Sequence, residues 1–535
     1  MRNIYRVGIL IGMLGTLTLT AQNQPEREAW LRDAGFGMFI HWSVDAQLGT
    51  VISHSLVGAS EDYTRRYFEE LPKTFDPQDA DPDRWARLAK LAGMKYMVLT
   101  AKHHSGFCLW HTETTDFSIE HTPYQRDFVA EYVKACRKYG LAVGLYFSPE
   151  DFHYLHQQGE LIKRGEKGDR PAAANERYIA FVKAQMKELL TQYGPIDVLF
   201  FDGKKNFLID ALKPYCWSLK PDVLITRGEI ETPEQHLLGV ASDRVWEACM
   251  TMGTQWQFKP TNESYKPASQ VIQLLAETRA QGGALLLNIG PDGLGELPFE
   301  QERNLTELAA WYFINHEAID GVEPWPVTHE GDIWYTKARD EDVVYAILGG
   351  QEEWPRGERR EFLLHAVAPT EKTKISVLGQ SDKWVEYMPE VDATSRFRKA
   401  EKGIEVSVVR AQRIYNNHRW PNPVVIKLEH VRPAFIPPAI RTLPVAADGH
   451  LQGELLSLGD EKSVQAGFQY RLKPKGLNDI TKHTDWKELP AGEFSKTGAF
   501  SLSIPDWSPG RYQIRAFVKH DYISIEGAVE ELLIP

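Results

Sequence analysis

The stretch Tyr193–Gly203, YGPIDVLFFDG, decides how the chain is read. Val198, Leu199, Phe200 and Phe201 form an apolar run that ends on the carboxylate Asp202 and then a glycine. Gly-Pro before such a run and Gly after it mark a short strand buried on both faces, as in a parallel sheet. Asp202 then stands at the carboxyl end of the strand, where (β/α)8 barrels collect their catalytic groups. A lone Asp-Gly at a strand end more often caps the next helix. The weight therefore falls on how many other strands end in polar residues.

Several do. GMFIHW (37–42) predicts the first strand, and KYMVLTAKHH (95–104) follows a helix at Pro82–Leu91. DFVAEYVKACRKYG (127–140) has helical spacing and a glycine stop, and it leads into the strand LAVGLYFS (141–148). A long amphipathic helix over 174–194 precedes the organising strand. DVLITRGE (222–229) and RVWEACMTM (244–252) predict two further strands. A helix at 267–283, the strand ALLLNIGP (284–291) and a last helix at 299–316 complete the series. This alternation favours a (β/α)8-type, TIM-like barrel over residues 22–327, in the α/β class, rather than a doubly wound sheet.

A 535-residue chain exceeds the roughly 250–300 residues at which single cores stop growing, so further domains are expected. After Pro326 the pattern turns to strands without helices: Ile333–Lys337, Val343–Leu348, Phe362–Val367, Lys374–Leu378, Lys383–Tyr387, Ile404–Val409 and Val424–Leu428. This predicts a β-sandwich over 328–431. The proline-rich segment 432–445 reads as a stiff linker. Residues 446–535 read as a second, immunoglobulin- or fibronectin-like β-sandwich.

The net charge of −12 argues against nucleic acid and anionic membranes as partners. Residues 1–21 read as a signal peptide: Arg2 and Arg6, a short apolar run over Val7–Leu19, and the small residue Ala21. That run is too short for a membrane anchor, so the chain is expected to be exported, periplasmic or secreted, in a bacterium. The cysteines Cys108, Cys136, Cys216 and Cys249 show no metal or framework spacing, which leaves one or two disulfides open.

Taken in order, the strand ends carry His41-Trp42, His103-His104, Tyr146, Asp202 and Arg227-Gly228-Glu229. A metal-dependent hydrolase would place an H-x-H pair on one strand, because alternate residues share a face. The first strand has one histidine, and His103 and His104 are adjacent, so no metal is expected. Glycoside hydrolysis by two carboxylates fits better, with neutral histidines and aromatic rings holding the sugar. Asp202 supplies one carboxylate, and Glu229, Glu231, Glu234 and Glu247 are candidates for the other. Trp110, Trp246 and Trp256 are possible stacking platforms, each more readily explained as core.

The blocks GFGMFIHW, FDPQDADPDRWARLAKLAGMKYMVLTAKHHSGFCLW, KACRKYGLAVGLYFS, YGPIDVLFFDG, ETPEQ, VWEACMTM and GGALLLNIGPDGLGELP resemble signature blocks of glycoside hydrolase family 29. This is the family of retaining α-L-fucosidases, and the blocks span residues 25–325 in the family's order. The resemblance implies Asp202 as nucleophile and Glu234 as acid/base, with Glu247 of the Trp-Glu block as the alternative. It implies His41, Glu61, His103, His104, Tyr146, Phe200 and Arg227 as residues that hold the sugar. It further implies a fucosylated glycan or oligosaccharide as substrate and no cofactor.

Four departures fall on the expected pocket walls. His103-His104-Ser105-Gly106 stands for the family's His-His-Asp-Gly, and Glu61-Asp62-Tyr63 for its Glu-Trp-Tyr. Gln255-Trp256-Gln257-Phe258 replaces Ser-Trp-Gly-Tyr, and Phe200-Phe201 precedes the nucleophile. Both carboxylates remain. The expected activity is exo-hydrolysis of terminal α-L-fucosyl residues by double displacement, which places the carboxyl groups about 5–5.5 Å apart. A relative acting on another 6-deoxy or galacto-configured sugar, such as an α-L-galactoside, and a non-catalytic glycan-binding protein are the alternatives.

Overall fold

The computed structural model describes residues 22–163, 176–202, 207–350, 353–415, 420–446, 449–473, 485–504 and 507–534. The signal peptide expected over 1–21 lies outside them. Among the described residues no helix is long and apolar enough to cross a membrane.

Among the described residues the first part of the chain builds seven parallel strands: β1 (Phe36–Ile40), β2 (Tyr96–Lys102), β3 (Ala142–Phe147), β4 (Val198–Phe201), β5 (Leu224–Ile225), β6 (Glu247–Thr251) and β7 (Ala284–Ile289). Their order in the sheet is β5-β4-β3-β2-β1-β7-β6, so the sheet curls around β1. The strands are almost wholly buried because both faces are covered. One face, with Phe39, Tyr96, Val98, Tyr146, Val198, Phe200 and Cys249, packs as an inner core. The alternate residues, such as Met38, Leu99, Leu145, Phe147 and Leu199, pack outward into a separate and larger core.

Helices cover that outer face. They start where the sequence supplies caps: Asp81 accepts from Arg84 N–H at 3.0 Å at the head of the helix Pro82–Leu91. Asp127 does the same for Ala130 at 2.8 Å at the head of Phe128–Lys138. Helices at Glu176–Gln192, Phe207–Leu219, Ala268–Ala280 and Phe299–Asn315 complete the layer.

The strand expected over 222–229 pairs only at Leu224–Ile225. The chain turns directly after it, because the N–H groups of Glu229 and Ile230 both bond to Thr226 O and Gly228 takes φ +101°. The gap between β5 and β6 is filled by an irregular stave, residues 231–235, which runs parallel to β6. Glu247 N–H bonds to Glu231 O at 3.1 Å, Cys249 N–H to Pro233 O at 3.0 Å, and Gln235 N–H to Cys249 O at 3.0 Å. The segment that carries Glu234 thus extends the barrel wall beyond β6.

Beyond the barrel, β8 (Val322–Glu330), β9 (Ile333–Ala338), β10 (Val343–Leu348), β12 (Val367–Val377) and β15 (Val424–Pro433) form one antiparallel sheet. A smaller sheet joins β11 (Arg359–Leu364), β14 (Ile404–Val409) and β13 (Arg396–Lys399). β8 straddles residue 328, where the first β-region was expected to begin. No strand forms at Lys383–Tyr387, where Asp382 and Tyr387 adopt positive φ and break the ladder. The sheet is tied to the barrel by Trp311 Nε1–H to Pro423 O at 2.7 Å and Lys427 Nζ to Glu317 at 2.6 Å.

Half of the segment read as a linker is itself strand. Arg432 and Pro433 end β15, and β16 (Ala439–Leu443) pairs with β17 (His450–Ser457). Proline is tolerated at that strand end because no further ladder bond is asked of its nitrogen. β17 also pairs with β20 (Gly498–Ser503). A second sheet holds β18 (Val464–Leu472), β19 (Lys487–Phe494), β21 (Gly510–Lys519), β22 (Ser524–Glu526) and β23 (Glu530–Ile534). All four cysteines are buried and free, so the possible disulfides do not form.

Candidate active site

The carboxyl ends of the strands surround a cavity of about 210 Å3. His41 follows β1, His103 and His104 follow β2, Tyr146 lies near the end of β3, and Asp202 follows β4. All five line the cavity, as do Phe200, Arg227 and Glu234. The barrel's parallel register brings them together: Tyr146 pairs with Phe200, and Phe147 with Phe201.

Asp202 is the most strongly held of these groups. Tyr146 donates its hydroxyl to Oδ2 at 2.5 Å, and His104 Nε2 stands 3.1 Å from the same oxygen. Burial would raise the carboxyl, but His104 and the Arg227 guanidinium outweigh it and hold the group well below the usual carboxylate range. His104 is oriented through Nδ1, 2.5 Å from Ser148 Oγ. Asp202 is therefore an anion at neutral pH, fixed by one of its two oxygens.

Glu234 comes from the irregular stave. Arg227 Nη2 donates to its Oε2 at 2.8 Å, and the guanidinium lies over the Phe200 ring at 5.6 Å. The Arg227 guanidinium is buried, yet Asp202 and Glu234 together keep it firmly protonated. One cation thus sits between two carboxylates in the same cavity.

His41 and His103 are neutral. Burial drives His41 down to about 3 and His103 well below its ordinary value. The acceptor Oδ1 of Asn288 lies 2.6 Å from His41 Nδ1, so that nitrogen carries the proton. Asn288 in turn donates to Trp256 O at 2.6 Å. His41 Nε2 is left as an acceptor. His103 stacks parallel to Tyr146, with ring centroids 5.4 Å apart, and its Nδ1 lies 2.8 Å from Ser53 Oγ.

Two expected residues are placed elsewhere. Glu61 is exposed in the first turn of the helix Glu61–Glu69 and is absent from the cavity wall. Glu247 begins β6, so it lies at the amino end of the barrel interior, two residues below Cys249. It is fully buried, accepts from Tyr96 OH at 2.5 Å, and is pushed up to about 7 by burial. Glu229 pairs with Lys213 at 2.8 Å. Trp110 and Trp246 are core, whereas Trp256 does reach the cavity.

His54, Asn288, Gln235 and Thr254 belong to the site or its support without having been singled out in the sequence. Asn288 was detectable as the one polar residue in the apolar strand ALLLNI. His54 lies in a loop with no periodic signal. Among the described residues, His54, His103 and His104 also bring imidazole nitrogens within 4.8 Å of one another, a group able to hold a metal ion. His103 and His104 are already engaged by Ser53, Ser148 and Asp202.

Residues 16–317, more than half of the chain, match the family model described as Alpha-L-fucosidase. An alpha-L-fucosidase of Dictyostelium discoideum is 28% identical over 427 residues, which cover 71% of this chain and 85% of that protein. The plasma alpha-L-fucosidase of Homo sapiens is 28% identical over 407 residues, covering 67% and 83%. Among solved structures, alpha-L-fucosidase isoenzyme 1 from Paenibacillus thiaminolyticus superposes with a TM-score of 0.61 at 28% identity. That match covers 77% of this chain and 100% of the other. The chain belongs to the alpha-L-fucosidase family of glycoside hydrolases, family 29.

Proposed function

We propose that the protein is an exported, exo-acting α-L-fucosidase that removes terminal α-L-fucosyl residues from glycans with retention of configuration. The observation that carries this reading is the placement of Asp202 and Glu234 on one cavity with Arg227 joined to Glu234 and charge-coupled to both. The cavity is below the roughly 300–1,000 Å3 of sites for drug-sized ligands, which suits one terminal sugar ring rather than a chain. The relatives' names supply the sugar.

In this reading Tyr146 and His104 hold Asp202 Oδ2, and Oδ1 attacks the anomeric carbon. Glu234, protonated in the sugar complex, gives that proton to the departing oxygen as its bond to the anomeric carbon breaks, and a glycosyl–Asp202 ester forms. Glu234 then takes a proton from water as the water attacks the same carbon and frees the carboxylate. His41 Nε2 accepts a sugar hydroxyl, and Phe200 and Trp256 face the ring's apolar edges. Arg227 keeps both carboxylates from repelling each other before the sugar binds.

The test is hydrolysis of an aryl α-L-fucoside by the mature chain, beside Asp202→Asn and Glu234→Gln. The reading expects an active wild type, a dead Asp202→Asn, and a Glu234→Gln whose loss is relieved by azide through a fucosyl azide. A wild type that turns over only the α-L-galactoside would assign the pocket to the galacto-configured sugar instead.

A further inference from the structure

We propose that His54 is a specificity-determining contact that binds one hydroxyl of the sugar, on the wall where Glu61 was expected. This rests on the fucosidase reading of the cavity. Glu61 is exposed and takes no part in the wall, whereas Val51, Ile52 and His54 do. The His54 ring stands edge-on to two others that line the cavity, His103 at 5.9 Å and His104 at 5.7 Å between centroids.

The loop is built to hold His54 there. Ser53, the residue before it, is a non-glycine with φ +56°, a left-handed conformation that side chains rarely adopt. It persists because the surroundings fix it from three directions. Ser53 N–H donates to buried Asp45 Oδ2 at 2.9 Å, and Ser53 Oγ accepts from Ser105 N–H at 2.9 Å. The same Oγ lies 2.8 Å from His103 Nδ1. Both Ser53 and Asp45 are wholly buried. His54 N–H then bonds to Val51 O at 2.9 Å, and Val57 N–H to His54 O at 3.1 Å, which closes a helical turn on His54.

Ser105, at the position of the family's aspartate, is part of this anchoring. Its backbone N–H meets Ser53 Oγ, which ties the chain after β2 to the loop that carries His54. A strained turn, anchored through buried Ser53 and Asp45, that presents an imidazole beside two sugar-facing imidazoles is a positioning device for a ligand group. An imidazole can give or take one hydrogen bond, which matches a sugar hydroxyl.

The test compares wild type, His54→Ala and His54→Gln on 4-nitrophenyl α-L-fucoside and on its 2-, 3- and 4-deoxy analogues. His54→Ala is expected to lose about tenfold in kcat/KM on the parent, the scale of one hydrogen bond, and His54→Gln to retain most of it. On one deoxy analogue the His54→Ala penalty should vanish, because that substrate lacks the partner hydroxyl. An equal penalty on the parent and all three analogues, or none at all, would overturn the assignment. If wild type and Asp202→Asn behave as a fucosidase and its dead variant while His54→Ala shows that uniform pattern, only the His54 inference fails. A wild type inactive on the parent fucoside removes the functional reading first and this inference with it.

Discussion

Glu247→Gln should stabilise the protein at neutral and alkaline pH while leaving turnover intact. Glu247 is fully buried, and its polar neighbours are Tyr96, whose hydroxyl donates to one oxygen, and Thr226. Burial pushes its carboxyl from the usual 4.5 up to about 7. A raised carboxylate binds its proton more tightly in the folded state, so stability falls as pH rises through the window from 4.5 to about 7. Two and a half pH units at about 1.36 kcal/mol each make a penalty of about 3 kcal/mol, nearly complete by pH 8. Glutamine keeps the shape and the Tyr96 bond and has no charge to bury. The difference in Tm between variant and wild type should therefore be near zero at pH 4. It should grow to several degrees in favour of the variant at pH 8, at roughly 2–4 °C per kcal/mol. Thermal unfolding across pH 4–8, with kcat on an aryl α-L-fucoside beside it, reads both effects. A pH-independent Tm difference would refute the buried-carboxyl argument. A hundredfold loss of kcat restored by azide would make Glu247 the acid/base and refute its placement away from the cavity.

Other outcomes follow from the same geometry. His41, held near 3 against an unfolded value of 6.5, should cost stability as pH falls below 6.5, because only the unfolded chain takes the proton there. Between pH 6.5 and 5 this is about 2 kcal/mol, and His41→Asn should unfold less steeply with acid than wild type by that amount. Arg227→Met removes one of the charges that depress Asp202, so the acid limb of its kcat/KM profile should move to higher pH. An unmoved limb would show that His104 alone sets the nucleophile. Ser53→Ala leaves the Ser105 N–H and His103 Nδ1 without their shared partner in a buried site. A cost of about 1–3 kcal/mol in unfolding is expected.

Much of the barrel was legible because its strands are continuous apolar runs that end in ionisable residues. Phe201-Asp202, Lys102-His103-His104 and Ile40-His41 all fall where the parallel register puts them, around one cavity. The stave that carries Glu234 was not legible as such. Residues 231–235 have no alternation, and only backbone bonds to β6 make them part of the wall. Glu247 illustrates the opposite limit: a glutamate in a strand motif reads as chemistry, but its place at the start of β6 rather than the end buries it below the cavity. His54 depends on the left-handed Ser53 and on Asp45, contacts that no local pattern announces. The strand expected at 383–387 does not form, and half of the segment 432–445 pairs as strand, for a related reason. Turn geometry at Asp382 and Tyr387, and pairing with β12 and β17, overrode local composition.

The central claim is that Asp202 is the nucleophile of a retaining fucosidase. Its most direct test is peptide mapping by mass spectrometry after incubation with 2-fluoro-fucosyl fluoride, whose fluorine slows release of the glycosyl group. The account predicts a stoichiometric 2-fluorofucosyl adduct on the peptide that carries Asp202, lost in Asp202→Asn. An adduct on another carboxylate, or prompt turnover that yields the inverted sugar with no adduct, would contradict it.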